Sequence, residues 1–205
     1  MSVRMATFGG MANNCYLIVD DESNQSALVD CSAYNDTMLD LIGDTDLQYI
    51  LLTHGHYDHI LGAKAVKDKF GCKICIGEAD AGMLTSARYS LAVFTPFEQE
   101  NVEADILLHD GDVIMLGRTK IQVISTPGHT KGGVCYISGD SLFVGDTLFR
   151  LSYGRTDFPG GSWEEMQQSL QKLAALDGNY TVYTGHEETS TLDFERKYNE
   201  FMRTL

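Results

Sequence analysis

The chain has 205 residues, of which 43% are hydrophobic and 21% are charged, a composition typical of a globular protein that buries a full core. Its net charge of −14 repels phosphate backbones and argues against nucleic acid as a partner. No stretch approaches the ~18 to 20 consecutive apolar residues of a membrane span, and the first residues lack a signal pattern, so a single cytoplasmic domain over residues 1–205 that binds no membrane is expected.

The five cysteines are an odd number and are expected to be free thiols. Cys72 and Cys75 form a C-x-x-C pattern, but it falls within a predicted strand. Residues three apart on a strand point to opposite faces, so the two sulfurs should not meet. A redox or zinc role for this pair is therefore disfavoured.

Apolar runs between turn residues predict strands in the first half, and apolar residues at helical spacing predict helices. In chain order these are a strand at 14–20, its hairpin partner at 26–30, a helix at 34–41, a strand at 49–52, a helix at 60–70, a strand at 72–76 and a short helix at 78–86. Segment 88–103 is aromatic and irregular. It is either a substrate-facing loop or satellite packing.

The second half repeats the pattern of strands followed by helices. It contains strands at 106–116 (broken by a turn at 110–112), 120–125, 134–137, 141–144 and 180–184, with helices at 163–176 and 192–205. Ser162 and Glu165 have the spacing of a capping box at the start of the first of these helices. Two similar halves packed sheet to sheet with helices outside predict an α+β fold, a four-layer αββα sandwich.

The densest cluster of chemically active residues directly follows the predicted strand at 49–52. His54, His56, Asp58 and His59 lie within six residues, where a loop is held by a rigid strand. Imidazole nitrogens with a carboxylate oxygen suit zinc, iron or manganese. A loop that is merely rich in histidine is the alternative, and four donors this close make it improbable.

Three further donors stand in the same local setting, each directly after a glycine that ends a predicted strand. These are His129, Asp146 and His186. The glycine allows a sharp exit from the strand and a close approach of the backbone. The remaining histidine, His109, precedes the turn at 110–112 and is predicted to be solvated. Asp30 either hydrogen-bonds a ligand or caps a turn.

The successive motifs at 54–59, Pro127-Gly128-His129-Thr130, Gly145-Asp146-Thr147 and Gly185-His186 resemble those of the metallo-β-lactamase superfamily, over residues 14–186. The resemblance also implies the αββα sandwich. The aspartate at 146, where true lactamases have a cysteine, resembles the hydrolase branches, and the loop at 154–162 resembles that of short glyoxalase II-like thioester hydrolases.

That resemblance implies two divalent metal ions, zinc first, with iron or manganese as alternatives. One ion would be held by His54, His56 and His129, and the other by Asp58, His59 and His186, with Asp146 bridging them. A metal-bound hydroxide would then attack a small thioester of the S-2-hydroxyacylglutathione type. Asp58 and Asp146 are the candidate catalytic residues, and Asp58 could orient the nucleophile and accept its proton.

The thiol carrier of the substrate is a separate question from the chemistry. Glyoxalase II continues past its last histidine into a helical region that binds glutathione, and the 19 residues after His186 lead us to expect no such domain here. Arg155, with Lys131 or Arg150 nearby, could grip the carrier instead. The alternative for Arg155 is a pair with Asp157 that only shapes the loop.

Two other functions compete with thioester hydrolysis, and the oligomeric state stays open. A persulfide dioxygenase of related fold would hold one ferrous ion with His54, His129 and Asp146. A hydrolase of another ester or a lactone would use the same dinuclear site. A metal-binding module without catalysis is disfavoured, because loop-borne donors around two ions leave open coordination positions.

Overall fold

The computed structural model of the chain describes residues 1–203 and contains two six-stranded sheets. The first sheet has the order β1-β2-β3-β4-β5-β6. Its strands are β1 (Ser2–Phe8), β2 (Asn13–Val19), β3 (Gln25–Val29), β4 (Asp46–Leu51), β5 (Lys73–Gly77) and β6 (Ile106–Leu108). Strand β2 runs antiparallel to both β1 and β3, and β3 to β6 run parallel to one another.

The second sheet has the order β14-β13-β10-β9-β8-β7. Its strands are β7 (Val113–Leu116), β8 (Thr119–Ser125), β9 (Val134–Ser138), β10 (Ser141–Gly145), β13 (Thr181–Thr184) and β14 (Ser190–Thr191), while β11 (Leu148–Phe149) and β12 (Ser152–Tyr153) form a separate ribbon. The α-helices are α1 (Asp36–Ile42), α2 (Tyr57–Ile60), α3 (Ala63–Phe70), α4 (Trp163–Ala174), α5 (Leu192–Tyr198) and α6 (Glu200–Arg203).

Three buried clusters of apolar side chains separate four layers, which confirms the predicted αββα sandwich. One cluster lies between the two sheets and includes Tyr16, Cys75 and Phe143. The second lies under α1 and α3, and the third under α4, α5 and α6. Cys72 belongs to the cluster under α1 and α3, so the two cysteines of the C-x-x-C pattern do face opposite sides of the first sheet, as predicted.

The structure differs from the predicted elements in several places. Strands β1, β11, β12 and β14 were not predicted, the helix predicted at 60–70 is α3 with the separate short helix α2 before it, and the short helix at 78–86 is a 3-10 helix over Glu78–Thr85. The two strands predicted at 106–116 do not pair with each other, because β6 joins the first sheet and β7 the second. The helix predicted at 192–205 is split into α5 and α6, and its last two residues lie outside the described range.

The start of α4 shows half of the predicted capping box. The Ser162 hydroxyl accepts a hydrogen bond from the Glu165 amide, which satisfies one of the free amides of the first turn. In a full capping box the Ser162 amide would donate to the Glu165 carboxylate. Here it donates instead to the carbonyl of Gly128 at 2.8 Å. This bond ties α4 to the loop that carries His129.

Within residues 1–203, none of the helices is both long and apolar enough to cross a bilayer.

Candidate metal centre

The strand directions bring the separate donors to one edge of the sandwich. In the second sheet, β8 and β10 both run antiparallel to β9, and β13 runs parallel to β10. The carboxyl ends of these three strands therefore meet at the same edge, where His129, Asp146 and His186 follow them. Backbone hydrogen bonds join this edge to the first sheet, from the Val134 amide to the Thr53 carbonyl at 2.9 Å and from the Asn14 amide to the Gly185 carbonyl at 2.8 Å.

The seven predicted donors converge in three overlapping groups that could each hold a cation. Within each group, the candidate ligand atoms lie within 4.8 Å of one another. The groups are His54, His56 and His129; His54, His59 and Asp146; and Asp58, His59 and His186. The first and third groups are the two ligand sets that the family resemblance implies, and the second joins them.

Asp146 lies between the two sets. Its Oδ2 atom is 3.5 Å from Nε2 of His129 and 3.6 Å from Nε2 of His186, and its Oδ1 atom is 3.5 Å from Nε2 of His59. A carboxylate that faces imidazoles of both sets has the position that a bridging ligand needs.

Two buried donor atoms of the site have no hydrogen-bond partner. They are Nε2 of His54 and Oδ1 of Asp146. Leaving a buried polar atom unpaired is costly, and a cation at this position would satisfy both atoms. Nitrogen and carboxylate oxygen donors also match zinc, iron or manganese, so the residues fit a metal site.

Burial and neighbouring charges set the protonation of these side chains in opposite directions. Burial, with the other imidazoles, lowers the pKa of His56 to about 3 and holds that of His54 well below its usual value. Burial also lowers the pKa of His59, but the carboxylates of Asp146, Asp30 and Asp58 outweigh it and raise the pKa to about 10. His54 and His56 therefore offer neutral nitrogens, the form that binds a cation.

Asp58 is held ionised. Burial alone would raise its pKa, but the adjacent His59 and His186 and a hydrogen bond from Asn13 together lower it below the usual range. The amide Nδ2 of Asn13 donates to Oδ2 of Asp58 at 3.0 Å. Asn13 is buried at the start of β2, and sequence reasoning missed it.

Further hydrogen bonds orient the imidazoles from outside the donor set. Oδ2 of Asp30 lies 2.9 Å from Nδ1 of His59, which favours the ligand-orienting interpretation of Asp30 over the turn cap. The backbone carbonyls of Met11 and Arg155 accept from Nδ1 of His186 at 2.9 Å and Nδ1 of His129 at 2.7 Å. Such bonds fix the ring so that Nε2 faces a metal.

Asp80 was also missed by sequence reasoning. It is fully buried and accepts hydrogen bonds from the amides of Gly55 at 3.2 Å and Gly132 at 2.7 Å. Burial is the largest influence on its carboxyl group and raises its pKa. Its two bonds link the loop of the first histidine cluster to the loop after His129.

Two of the three basic residues proposed to grip the thiol carrier are paired with acidic side chains. Arg155 forms paired hydrogen bonds of 2.7 Å each with Asp157, and Arg150 pairs with Glu188. Lys131 is exposed near Gly160. The Arg155–Asp157 pair is the one expected under the loop-shaping alternative.

His109 lies apart from the candidate site, as predicted. Its side chain is 60% exposed and lies 3.3 Å from Glu78 and 3.6 Å from Asp112. It belongs to none of the three groups of candidate ligands among the described residues.

Comparison with known proteins agrees with this fold. The model of the metallo-β-lactamase superfamily matches residues 8–186. The hydroxyacylglutathione hydrolase GloC of Haemophilus influenzae is 32% identical over 218 residues, covering 100% of this chain and 99% of that protein. The chain belongs to the metallo-β-lactamase superfamily, a fold that implies a metallo-hydrolase, and its His/Asp cluster is able to hold metal ions.

Two solved structures are similar over nearly their whole length. BLEG-1, described as a B3 metallo-β-lactamase, has a TM-score of 0.89 at 27% identity and covers 98% of this chain and 99% of its own. TTHA1623, solved in a di-iron-bound form, has a TM-score of 0.85 at 28% identity and covers 97% of this chain and 99% of its own.

Proposed function

We propose that the chain hydrolyses a small thioester of the S-2-hydroxyacylglutathione type at a dinuclear metal site. The observation that carries the proposal is the convergence of two complete donor sets with Asp146 between them. The similarity to GloC, a hydroxyacylglutathione hydrolase, supports the substrate class. When bound, two divalent cations supply an activated water and polarise the acyl carbonyl.

The chain's own residues would position the reacting groups. Asp58 is held ionised by its neighbours and fixed by the Asn13 amide, so its oxygens can accept a hydrogen bond from a nucleophilic water and orient it. The neutral rings of His54 and His56 offer lone pairs and no competing proton.

A cysteine nucleophile has no support in the described structure. All five cysteines are buried, and burial raises the pKa of Cys15 and Cys75 to about 12 and that of Cys72 and Cys135 to about 11. Because the thiolate is the reactive form, these side chains are inert at neutral pH. Water is therefore the nucleophile that the proposal requires.

The test joins elemental analysis to turnover of S-lactoylglutathione. We expect two metal ions per chain and cleavage of the thioester. Asp146→Ala should abolish cleavage and lower the metal content, because it removes a ligand proposed for both ions. His109→Ala is the matched control, since this histidine is 60% exposed and outside the donor groups, and it should retain both properties.

Three results would contradict the proposal. An unchanged rate and metal content in Asp146→Ala would refute the bridging role. One iron per chain with oxygen uptake on glutathione persulfide would identify a dioxygenase instead. Turnover of a β-lactam, a lactone or another ester, without turnover of the thioester, would show that the substrate belongs to a different class.

A further inference from the structure

A groove of about 370 Å³ opens beside the candidate metal centre and reaches Asp58 and Asn13. Its other walls come from the turn after β1, the residues after β3, the start of α2 and segment 88–103. The large apolar and aromatic members of the lining are Phe8, Met11, Tyr34, Tyr57, Leu61 and Phe97. We propose that this groove binds the acyl group of the substrate and selects uncharged acyl groups of aromatic size.

Segment 88–103 is joined to the donor loop at this groove. The Tyr57 amide, directly before Asp58, donates to the Ser90 carbonyl at 2.9 Å. The rings of Tyr57 and Phe97 are stacked, with centroids 6.4 Å apart and planes 22° from parallel. Phe97 is 58% exposed, so its ring presents a free face. These contacts favour the substrate-facing alternative for segment 88–103.

The opposite wall is also joined to a donor. The Tyr57 hydroxyl donates to Sδ of Met11 at 3.0 Å, and the Met11 carbonyl accepts from Nδ1 of His186 at 2.9 Å. Thioether and aromatic groups together form an adaptable apolar surface. An acyl group held between Met11 and Phe97 would have its carbonyl carbon at the Asp58 end of the groove.

Charge supports an uncharged acyl group. The charged residues of the described lining are Asp58 and Glu98, both acidic. The Arg155 guanidinium lies 3.9 Å from the ring centre of Phe158, is paired with Asp157 and is not part of the lining. A carboxylate on the acyl group would therefore meet no cationic side chain in the described lining.

The volume supports an acyl group larger than lactoyl. At ~30 Å³ for each group of water size, the 370 Å³ of the groove has room for roughly a dozen non-hydrogen atoms. A lactoyl group fills less than half of this space. A mandeloyl group, which keeps the 2-hydroxyl and replaces the methyl by a phenyl ring, fills most of it.

The inference rests on the proposed function. Two measurements distinguish a failure of the acyl groove from a failure of the proposed function. The first compares kcat/KM of the metal-loaded protein for S-mandeloylglutathione and S-lactoylglutathione. We expect the mandeloyl ester to be preferred by about tenfold or more, the discrimination that an apolar pocket provides. Phe97→Ala should reduce this ratio toward one. Phe94→Ala, a matched control 80% exposed on the same segment and absent from the lining, should leave it unchanged.

The second measurement needs no turnover. Calorimetry would compare the affinities of two uncleavable thioethers, S-benzylglutathione and S-methylglutathione, for the wild type and both variants. We expect the benzyl compound to bind about tenfold more tightly, and Phe97→Ala, but not Phe94→Ala, to remove the difference. If neither thioester is cleaved, the proposed function is wrong. The ratio of the two thioether affinities still tests the acyl groove in that case. Equal affinities, no binding of either compound, or a ratio insensitive to Phe97→Ala would overturn the acyl groove.

Discussion

The seven donors could be found from the sequence because each is a strong ligand type placed next to a predicted strand end. Asn13 and Asp80 could not, because their bonds join positions 45 and 52 residues apart, and nothing local marks those partners. Local sequence therefore predicts where the donors stand, whereas the contacts that hold them depend on how the two sheets pack.

Asn13→Ala should weaken metal binding by about 10- to 100-fold, the usual effect of removing a group that orients a ligand. The variant loses the amide that donates to Oδ2 of Asp58 at 3.0 Å. Competition with a chromogenic chelator measures the affinity. Asn101→Ala, at an exposed position, is the control. Equal affinities in the two variants would show that Asn13 does not act on the site.

Gly185→Ala should lower the metal content, because a Cβ atom there would lie 2.3 Å from Oδ1 of Asp146 and 2.9 Å from Cε1 of His59. The atoms it meets belong to two proposed ligands. Gly82→Ala adds the same methyl group where no atom lies within 4 Å and serves as the control. Elemental analysis of both purified variants makes the comparison. A full metal content in Gly185→Ala would mean that the site tolerates a shift of Asp146.

At the scale of elements, the pattern of apolar residues predicted strands that have a continuous buried face. It missed β1, which has no such face. Every residue of β2 is buried, whereas β1 is largely exposed at the edge of its sheet, so β1 has no apolar face to reveal it. The sequence also did not reveal which of the two sheets each strand joins. β6 and β7 are separated by the short turn at 109–112 and yet enter different sheets, because β6 pairs with β5 of the first sheet whereas β7 forms a hairpin with β8 of the second.

Ser162→Ala should destabilise the protein by about 1 kcal/mol, the typical cost of losing an N-cap. The hydroxyl accepts from the Glu165 amide in the first turn of α4. Guanidinium unfolding followed by circular dichroism measures the change. Ser162→Asp retains an accepting oxygen and should restore most of the stability. A loss of the same size in both variants would place the effect elsewhere than in the cap.

At the scale of the whole molecule, cations at the candidate centre would connect the two sheets. His54 to His59 follow a strand of the first sheet, while His129, Asp146 and His186 follow strands of the second. A ligand that binds only the folded state stabilises it, by about 4 kcal/mol when present at ~1,000 times its dissociation constant.

Removing metal with a chelator should therefore lower the melting temperature, measured by calorimetry before and after readdition of zinc or iron. His109→Ala should show the wild-type shift, because the substitution leaves the donors intact. Asp146→Ala should show a smaller one. A melting temperature that does not respond to the metal in the wild type would argue against ions held between the sheets.

The division of the donors between the two sheets has a consequence for how the protein acquires activity. Neither half of the chain contains the complete ligand set, and a donor such as His186 meets its partner Asp58 only after well over a hundred residues of intervening chain have been arranged. Because contacts so distant in sequence form only when the topology is established, capture of a full metal complement would come after the halves have docked. Metal occupancy would then report how many molecules have completed their maturation.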